Sequence, residues 1–216
     1  MAEVRRLAEE LLDRHQRIDV LVNNAGAMFT SRHMTPDGFE QTFALNHLAP
    51  FLLTSLLLER ITQCRGRVVT TASDAHRRGV LSLDDLQSEQ GRYRPGRVYA
   101  TSKLCNVLFT RELQRRNPDI AANCFHPGMI RSGFGKNDGV AARVGLTLAG
   151  PFLRSPETGA RSLVWLALDP EAAALRGQYV ENERPATPSA QARDDRLAAA
   201  LWERSESLLS RIAPSA

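Results

Sequence analysis

The spacing of apolar and polar residues predicts helices that alternate with strands. Apolar side chains recur every three to four residues, as on one face of a helix, in the stretches 3–15, 37–63, 97–116, 156–168 and 190–211. Short apolar runs bounded by turn residues predict strands at 18–22, 67–72, 120–125 and 177–180. Strands joined by helices are typical of a doubly wound parallel sheet with helices on both faces. We therefore predict a single α/β domain over residues 1–216.

Composition and charge argue against several kinds of partner. The sequence has 28 Lys and Arg residues and 24 Asp and Glu residues. The arginines are interleaved with acidic residues, which is typical of a solvated surface, so we expect no nucleic-acid partner. The 3 cysteines form no C-x-x-C pair, and the 5 histidines form no H-x-x-x-H pair. Neither a disulfide framework nor a metal site is therefore expected.

The N-terminal residues do not have the pattern of a signal peptide, because charges begin at Glu3 and no apolar core follows. The longest apolar run, 51–58, is far shorter than the ~20 residues that cross a membrane. Unpaired cysteines are usual in a reducing compartment. These features predict a soluble, cytoplasmic protein without a membrane span.

Tyr99 and Lys103 are the candidate catalytic pair. They are four residues apart on the predicted helix 97–116 and therefore lie on one face of it. The pKa of a free tyrosine is about 10, and a nearby ammonium group favours the phenolate. We predict that Tyr99 is a general acid/base whose pKa is lowered by Lys103. The lysine ammonium can also hold ribose hydroxyls.

Ser73 directly follows the predicted strand 67–72, and ligands of doubly wound sheets bind at such strand ends. Its hydroxyl can donate to a substrate carbonyl, although a capping or turn serine explains the same position. A serine hydrolase that pairs Ser73 with His76 is a weaker hypothesis, because the sequence has no G-x-S-x-G turn.

Asn46 precedes Pro50 by four residues in the predicted helix 37–63. Proline has no N–H, so the carbonyl of Asn46 loses its helical partner and can hold a water molecule. That water would connect Lys103 to solvent as a proton path. A plain proline kink with a solvated asparagine is the alternative.

The chain resembles the short-chain dehydrogenase/reductase family in the order and placement of its motifs. These are a tetrad of Asn46, Ser73, Tyr99 and Lys103, the N-N-A-G sequence of residues 23–26, and the pair Pro127-Gly128. The resemblance implies an oxidoreductase with a Rossmann-type sheet. In it, Tyr99 is the acid/base, Lys103 tunes Tyr99, Ser73 orients the carbonyl, and Asn46 anchors the relay water.

The resemblance also implies a nicotinamide cofactor. Tyr99 and Lys103 would bind it, with Lys103 on the nicotinamide ribose. The residues expected to line its adenosine side are Asn24, Ala25 and Gly26. The residues expected to border its nicotinamide are Pro127, Gly128 and Ile130.

A narrower resemblance, to the retinol-dehydrogenase-like branch, rests on A-S-D-A-H at 72–76, D-D-L-Q at 84–87, S-P-E-T-G at 155–159 and G-Q-Y-V at 177–180. It implies a small-molecule alcohol or carbonyl substrate and favours NADP over NAD. Apolar residues in 131–153 predict a lid over a lipophilic substrate. The alternative is an ordinary helix that packs on the sheet.

The family's first strands and glycine-rich turn, which hold the cofactor pyrophosphate, have no counterpart in the sequence. Its G-x-G sequence, Gly133-Phe-Gly135, lacks the third glycine and does not follow a strand directly. We therefore predict a partial sheet with 18–22 as an exposed edge, in an N-terminally truncated chain. Two functions remain open. One is a mis-started fragment of an alcohol/carbonyl oxidoreductase, and the other is a catalytically incompetent binding module or dimer partner, compatible with a homodimer.

Overall fold

A computed structural model describes residues 1–128 and 155–212. The helices are α1 (Ala2–Arg14), α2 (Gln41–Gln63), α3 (Pro95–Arg116), α4 (Pro156–Leu168) and α5 (Asp195–Ser210). The strands are β1 (Val20–Asn23), β2 (Arg67–Thr71), β3 (Ala121–His126), β4 (Tyr179–Glu181) and β5 (Arg184–Ala186). Ile130 and the predicted lid 131–153, with Gly133 and Gly135, lie outside the described residues.

The sheet has the strand order β1-β2-β3-β4-β5 in the described residues. Strands β1 to β4 pair in parallel, and only the short β5, which the sequence did not predict, is antiparallel to its neighbour. Parallel neighbours need a crossover connection, and α2, α3 and α4 supply one between successive strands. The predicted α/β class with a mostly parallel Rossmann-type sheet is confirmed.

Both faces of the sheet are covered, because neighbouring residues of a strand point to opposite sides. In β2, Val68 belongs to the larger core cluster, which includes Leu57 of α2 and Leu108 of α3. Val69, the next residue, packs instead in a smaller cluster with Leu166 of α4. This alternation places α2 and α3 on one face and α4 on the other.

Strand β1 is an edge of the sheet in the described part of the chain, as the sequence predicts. It pairs with β2 alone, and Val22 is 37% exposed. On α1, Leu7 is 44% exposed, whereas the neighbouring Ala8 is buried. The outer side of β1 therefore presents backbone groups that could pair with a further strand.

Helix α2 starts at Gln41, four residues later than predicted, because Glu40 caps it. The carboxylate of Glu40 accepts hydrogen bonds from the backbone N–H groups of Thr42 and Phe43 at 2.8 and 2.7 Å. Residues Ala44–Leu48 form a π turn directly ahead of Pro50, and Ala49 donates to the carbonyl of Ala44, five residues back. The missing N–H of the proline thus coincides with a change of hydrogen-bond register.

By length and composition α2 could cross a membrane, but 56% of its most apolar window is buried inside the protein. A buried helix of a soluble core passes the same test. The expected absence of a membrane span therefore stays a prediction.

His47, within the π turn, makes the fold sensitive to acid. It is 1% exposed, its Nε2 lies 2.8 Å from Ser205 Oγ on α5, and Nδ1 has no hydrogen-bond partner among the described residues. Burial lowers its pKa to about 3. The unfolded chain therefore binds a proton that the folded chain excludes, and stability is lost as pH falls from about 6.5 towards 3.

We expect the wild-type chain to lose roughly 2 kcal/mol of unfolding free energy between pH 7 and pH 5 through this one residue. His47→Phe, which keeps a ring against Phe43, should remove that part of the pH dependence in urea titrations. His15→Gln, at an exposed position, is the matched control. Equal acid sensitivity in all three proteins would contradict the assignment.

Candidate active site

The candidate site lies at the carboxyl ends of β1, β2 and β3. These strands are parallel neighbours, so the residues that follow them meet at one edge of the sheet. They are residues 24–26 after β1, Ala72 and Ser73 after β2, and Pro127 and Gly128 after β3. Gly128 has φ of +84°, a backbone conformation that glycine adopts without strain.

Tyr99 and Lys103 lie on one face of α3, as predicted. The helix starts at Pro95, whose missing N–H costs nothing in the first turn. Lys103 Nζ is 5.7 Å from the centroid of the Tyr99 ring. Nζ also donates to the carbonyl of Thr71 at 2.9 Å, which fixes the ammonium at the end of β2. The lysine is only 3% exposed.

Ser73 is a capping serine, as one of the two alternatives predicted, and its role as a donor to the substrate carbonyl stays a prediction. Its Oγ accepts from the N–H of Ala75 at 3.2 Å and so caps the 3₁₀ turn Asp74–Arg78. The Ser73 side chain also lowers the pKa of Tyr99 through a hydrogen bond, although burial has the larger effect. A capping serine is thus also within reach of the candidate acid/base.

The pKa of Tyr99 is raised above its usual value, mainly because the phenol is buried, while the hydrogen bond with Ser73 lowers it in part. The sequence predicts that Lys103 lowers the pKa of Tyr99, and the direction of that prediction is wrong. Burial also lowers the pKa of Lys103 to about 8. The ammonium therefore does not offset the cost of burying a phenolate here, and the phenol is the form of Tyr99 that the site favours at neutral pH.

Asn46 is fully buried, so the alternative of a solvated asparagine is wrong. Its Oδ1 accepts from the N–H of Ala27 and its Nδ2 donates to the Ala27 carbonyl, both at 2.9 Å. Nδ2 also lies 2.9 Å from Ser102 Oγ, which donates to the carbonyl of Tyr99 at 2.8 Å. The amide thereby ties the segment after β1 to α3. The water on its backbone carbonyl stays a prediction.

Gly26 packs tightly against this cluster. A Cβ atom at this position would lie 3.1 Å from Lys103 Nζ and 3.2 Å from Asn46 Oδ1. We expect Gly26→Ala to lower kcat/KM about tenfold, because even small displacements of positioned groups are costly. Gly96→Ala is the matched control, since a Cβ there meets nothing within 4 Å. Comparable kcat/KM in Gly26→Ala and wild type would show that the site tolerates the displacement.

Asn106 is a polar residue of this site that the sequence analysis missed. Its Nδ2 donates to the Thr71 carbonyl at 3.2 Å, beside Lys103. Its Oδ1 is buried without a hydrogen-bond partner among the described residues. The signal was available, because Asn106 follows Lys103 by three residues and so shares its helix face.

His76 does not act on the Ser73 hydroxyl. Its Nδ1 lies 2.7 Å from the Ser73 carbonyl oxygen, and its Nε2 accepts from the N–H of Ser189 at 3.1 Å. Both ring nitrogens are thus engaged by backbone groups, and the pairing that a serine hydrolase requires is not formed. In the described parts of the chain, no group of three His, Cys, Asp or Glu side chains could hold a metal ion.

The mostly parallel sheet with helices on both faces is that of an oxidoreductase of the short-chain dehydrogenase type. A family model described as "short chain dehydrogenase" matches residues 1–141, and the chain belongs to that family, in its retinol-dehydrogenase-like branch. It is 44% identical over 205 residues to a protein named as a candidate daunorubicin C-13 ketoreductase, DnrU, of Streptomyces sp. (strain C5). That match covers 95% of this chain and 70% of DnrU.

Human retinol dehydrogenase 13 is 35% identical over 223 residues, with 100% of this chain and 67% of that protein covered. Among solved structures, an uncharacterized protein from Mycobacterium paratuberculosis matches with a TM-score of 0.76 and 36% identity. That match covers 96% of this chain and 71% of the other. The chain is thus similar over nearly its whole length to about two thirds of each relative.

Proposed function

We propose that this chain interconverts an alcohol and a carbonyl compound with a nicotinamide cofactor, and that Tyr99 is its general acid/base. The observation that carries the proposal is the convergence of three groups at the strand ends. Lys103 Nζ lies 5.7 Å from the Tyr99 ring centroid and donates to the carbonyl of Thr71, two residues before Ser73. The Ser73 side chain lowers the pKa of Tyr99. An acid, a hydrogen-bond donor and a cation together can polarise and protonate a carbonyl.

In the direction of reduction, Ser73 donates a hydrogen bond to the carbonyl oxygen of the substrate, and Tyr99 transfers its proton to that oxygen. The raised pKa of Tyr99 keeps this proton in place at neutral pH. The phenolate that remains is stabilised by the Lys103 ammonium and the Ser73 hydroxyl. A proton then returns to Tyr99 along a water held at the Asn46 carbonyl. Oxidation of an alcohol runs through the same steps in reverse.

The residues at the site are compatible with such a cofactor. Asn24, Ala25 and Gly26, which would line the adenosine side, are exposed, so their surface is open to a ligand. The described contacts use one of the three Lys103 donors, on Thr71. Lys103 would hold the ribose, and Pro127 and Gly128 would border the nicotinamide with Ile130. When bound, the cofactor supplies or accepts the hydride.

We further propose NADP as the preferred cofactor, a lipophilic small molecule as the substrate, and a cytoplasmic location for the protein. Support for the lipophilic class comes from the names of the relatives, which refer to retinol and to daunorubicin. Homodimer formation is compatible with this activity.

The test is an assay of the purified chain with NADPH or NADH and a panel of carbonyl compounds. We expect NADPH oxidation with long-chain or polycyclic substrates, and slower turnover of small polar ones. Faster turnover of the small polar compounds would contradict the lipophilic class. Calorimetry shows separately whether the chain binds the dinucleotide. If it binds the dinucleotide and converts no carbonyl compound or alcohol, the whole proposal fails.

The second candidate is a binding module that cannot turn over, and the edge position of β1 among the described strands favours it. For this module we expect no measurable dinucleotide binding by calorimetry. Tight binding with a 1:1 stoichiometry would contradict it.

A further inference from the structure

We propose that His76 is a positioning residue that holds Ser73 against Tyr99 by tying the end of β2 to the segment that follows β5. The roles of Ser73 and Tyr99 rest on the proposed function, whereas the tie itself rests on geometry. It joins residues that are 113 positions apart in the chain.

The hydrogen bonds fix the protonation state of the His76 ring. The Ser73 carbonyl can only accept, so Nδ1 carries the hydrogen across the 2.7 Å contact. The Ser189 N–H can only donate, so Nε2 is unprotonated at 3.1 Å. The ring is therefore neutral. It is 0% exposed and packs edge-on against Tyr179, with ring centroids 4.8 Å apart.

The Ser73 backbone is where these bonds converge. Ser73 is extended, with φ −164° and ψ 151°, and its carbonyl accepts from both the ring and the backbone N–H of His76. The rotation of this peptide sets the direction in which the Ser73 side chain leaves the strand end. Arg77 reinforces the same tie, because it donates to the Thr187 carbonyl at 2.9 Å and to Asp74 at 2.6 Å.

Two amide variants separate the bonds of the ring. The side-chain nitrogen of asparagine occupies about the same position as Nδ1 of histidine. His76→Asn can therefore keep the hydrogen bond to the Ser73 carbonyl, but it loses the hydrogen bond from the Ser189 N–H. The side-chain oxygen of glutamine occupies about the same position as Nε2 of histidine. His76→Gln can therefore keep the hydrogen bond from the Ser189 N–H, but it loses the hydrogen bond to the Ser73 carbonyl. Both lose the ring packing on Tyr179, so packing alone predicts equal effects.

The first readout needs no turnover. The chain has 3 tyrosines, and the pKa of Tyr93 is raised to about 12 and that of Tyr179 still higher. An ultraviolet pH titration reports the ionisation of these phenols, and Tyr99→Phe identifies the phase that belongs to Tyr99. We expect this phase to stay in place in His76→Asn and to move up by roughly 0.5 to 1 pH unit in His76→Gln, which is the effect of one weakened hydrogen bond.

The second readout is kcat, expected near wild type in His76→Asn and about tenfold lower in His76→Gln, with KM little changed. Equal shifts in the two variants overturn the proposal. The titration phases could move as expected although the chain shows no turnover. That result would support the positioning role of His76 and would contradict the proposed function.

A third measurement covers the case in which a variant does not fold. Nitrogen-15 spectra of the wild-type His76 ring should show the hydrogen on Nδ1. Protonation on Nε2 would be incompatible with both contacts and would overturn the proposal.

Discussion

Tyr99→Phe is expected to lower kcat by about 10²- to 10⁴-fold, the usual contribution of a general acid–base group. The change removes the hydroxyl that bonds to Ser73 and leaves the ring and its packing in place. The phenol is buried enough to raise its pKa, so its proton is held at neutral pH and is available to a carbonyl oxygen. The measurement is the rate of NADPH oxidation with the best substrate of the panel.

Tyr93→Phe is the matched control, because it also removes one buried phenol hydroxyl. That hydroxyl bonds to Glu40 at 3.0 Å and lies 3.2 Å from Thr42, neither of which is a candidate site residue. We expect a lower melting temperature and an almost unchanged kcat. Near wild-type turnover in Tyr99→Phe on every accepted substrate would show that another group transfers the proton.

Lys103→Met is expected to abolish turnover and yet to stabilise the folded chain at neutral pH. Burial lowers the pKa of Lys103 from 10.5 to about 8, so the folded state disfavours the charged form. A depressed folded pKa means that stability is fully present above pH 10.5 and is lost as pH falls through about 8. The shift corresponds to roughly 3 kcal/mol. Asn106 still donates to the Thr71 carbonyl after the change.

Urea denaturation of both proteins at several pH values tests this second prediction. The variant should be more stable than wild type at pH 7, and the difference should shrink as pH rises from 8 to 10.5. Activity and stability would then oppose each other at one residue, as is common at functional sites. A difference that does not change with pH would show that the ammonium is not what costs stability.

Most of the helices and strands could be predicted from the sequence, because they depend on local patterns of apolar and polar residues. The four predicted strands and the helices between them follow from apolar periodicity, and Tyr99 with Lys103 follows from their spacing. The start of α2 was predicted four residues early, because the capping bonds of Glu40 are side-chain contacts that the periodicity does not encode. Strand β5 was missed because 3 residues, Arg184–Ala186, give too short a pattern.

What the sequence could not predict are the long-range effects on the site. The direction of the pKa shift of Tyr99 depends on how much protein surrounds the phenol, and the spacing to Lys103 does not contain that information. The same holds for His76, whose partner Ser189 is remote in sequence. Asn46 was selected for its backbone carbonyl, whereas its side-chain amide makes the contacts with Ala27 and Ser102.

The π turn at Ala44–Leu48 has a consequence for how the chain tolerates changes in length. A π turn accommodates one residue more than an α turn, so it is equivalent to a single-residue insertion into a regular helix. Two consecutive residues of the turn form hydrogen bonds to different helices, Asn46 to Ser102 of α3 and His47 to Ser205 of α5. Removing one residue from this turn would restore a uniform helix and leave the residues before and after the turn on their present faces, so that only residues within the turn would lose their orientation. Asn46 would then no longer face Ala27, although the composition of the helix would hardly change.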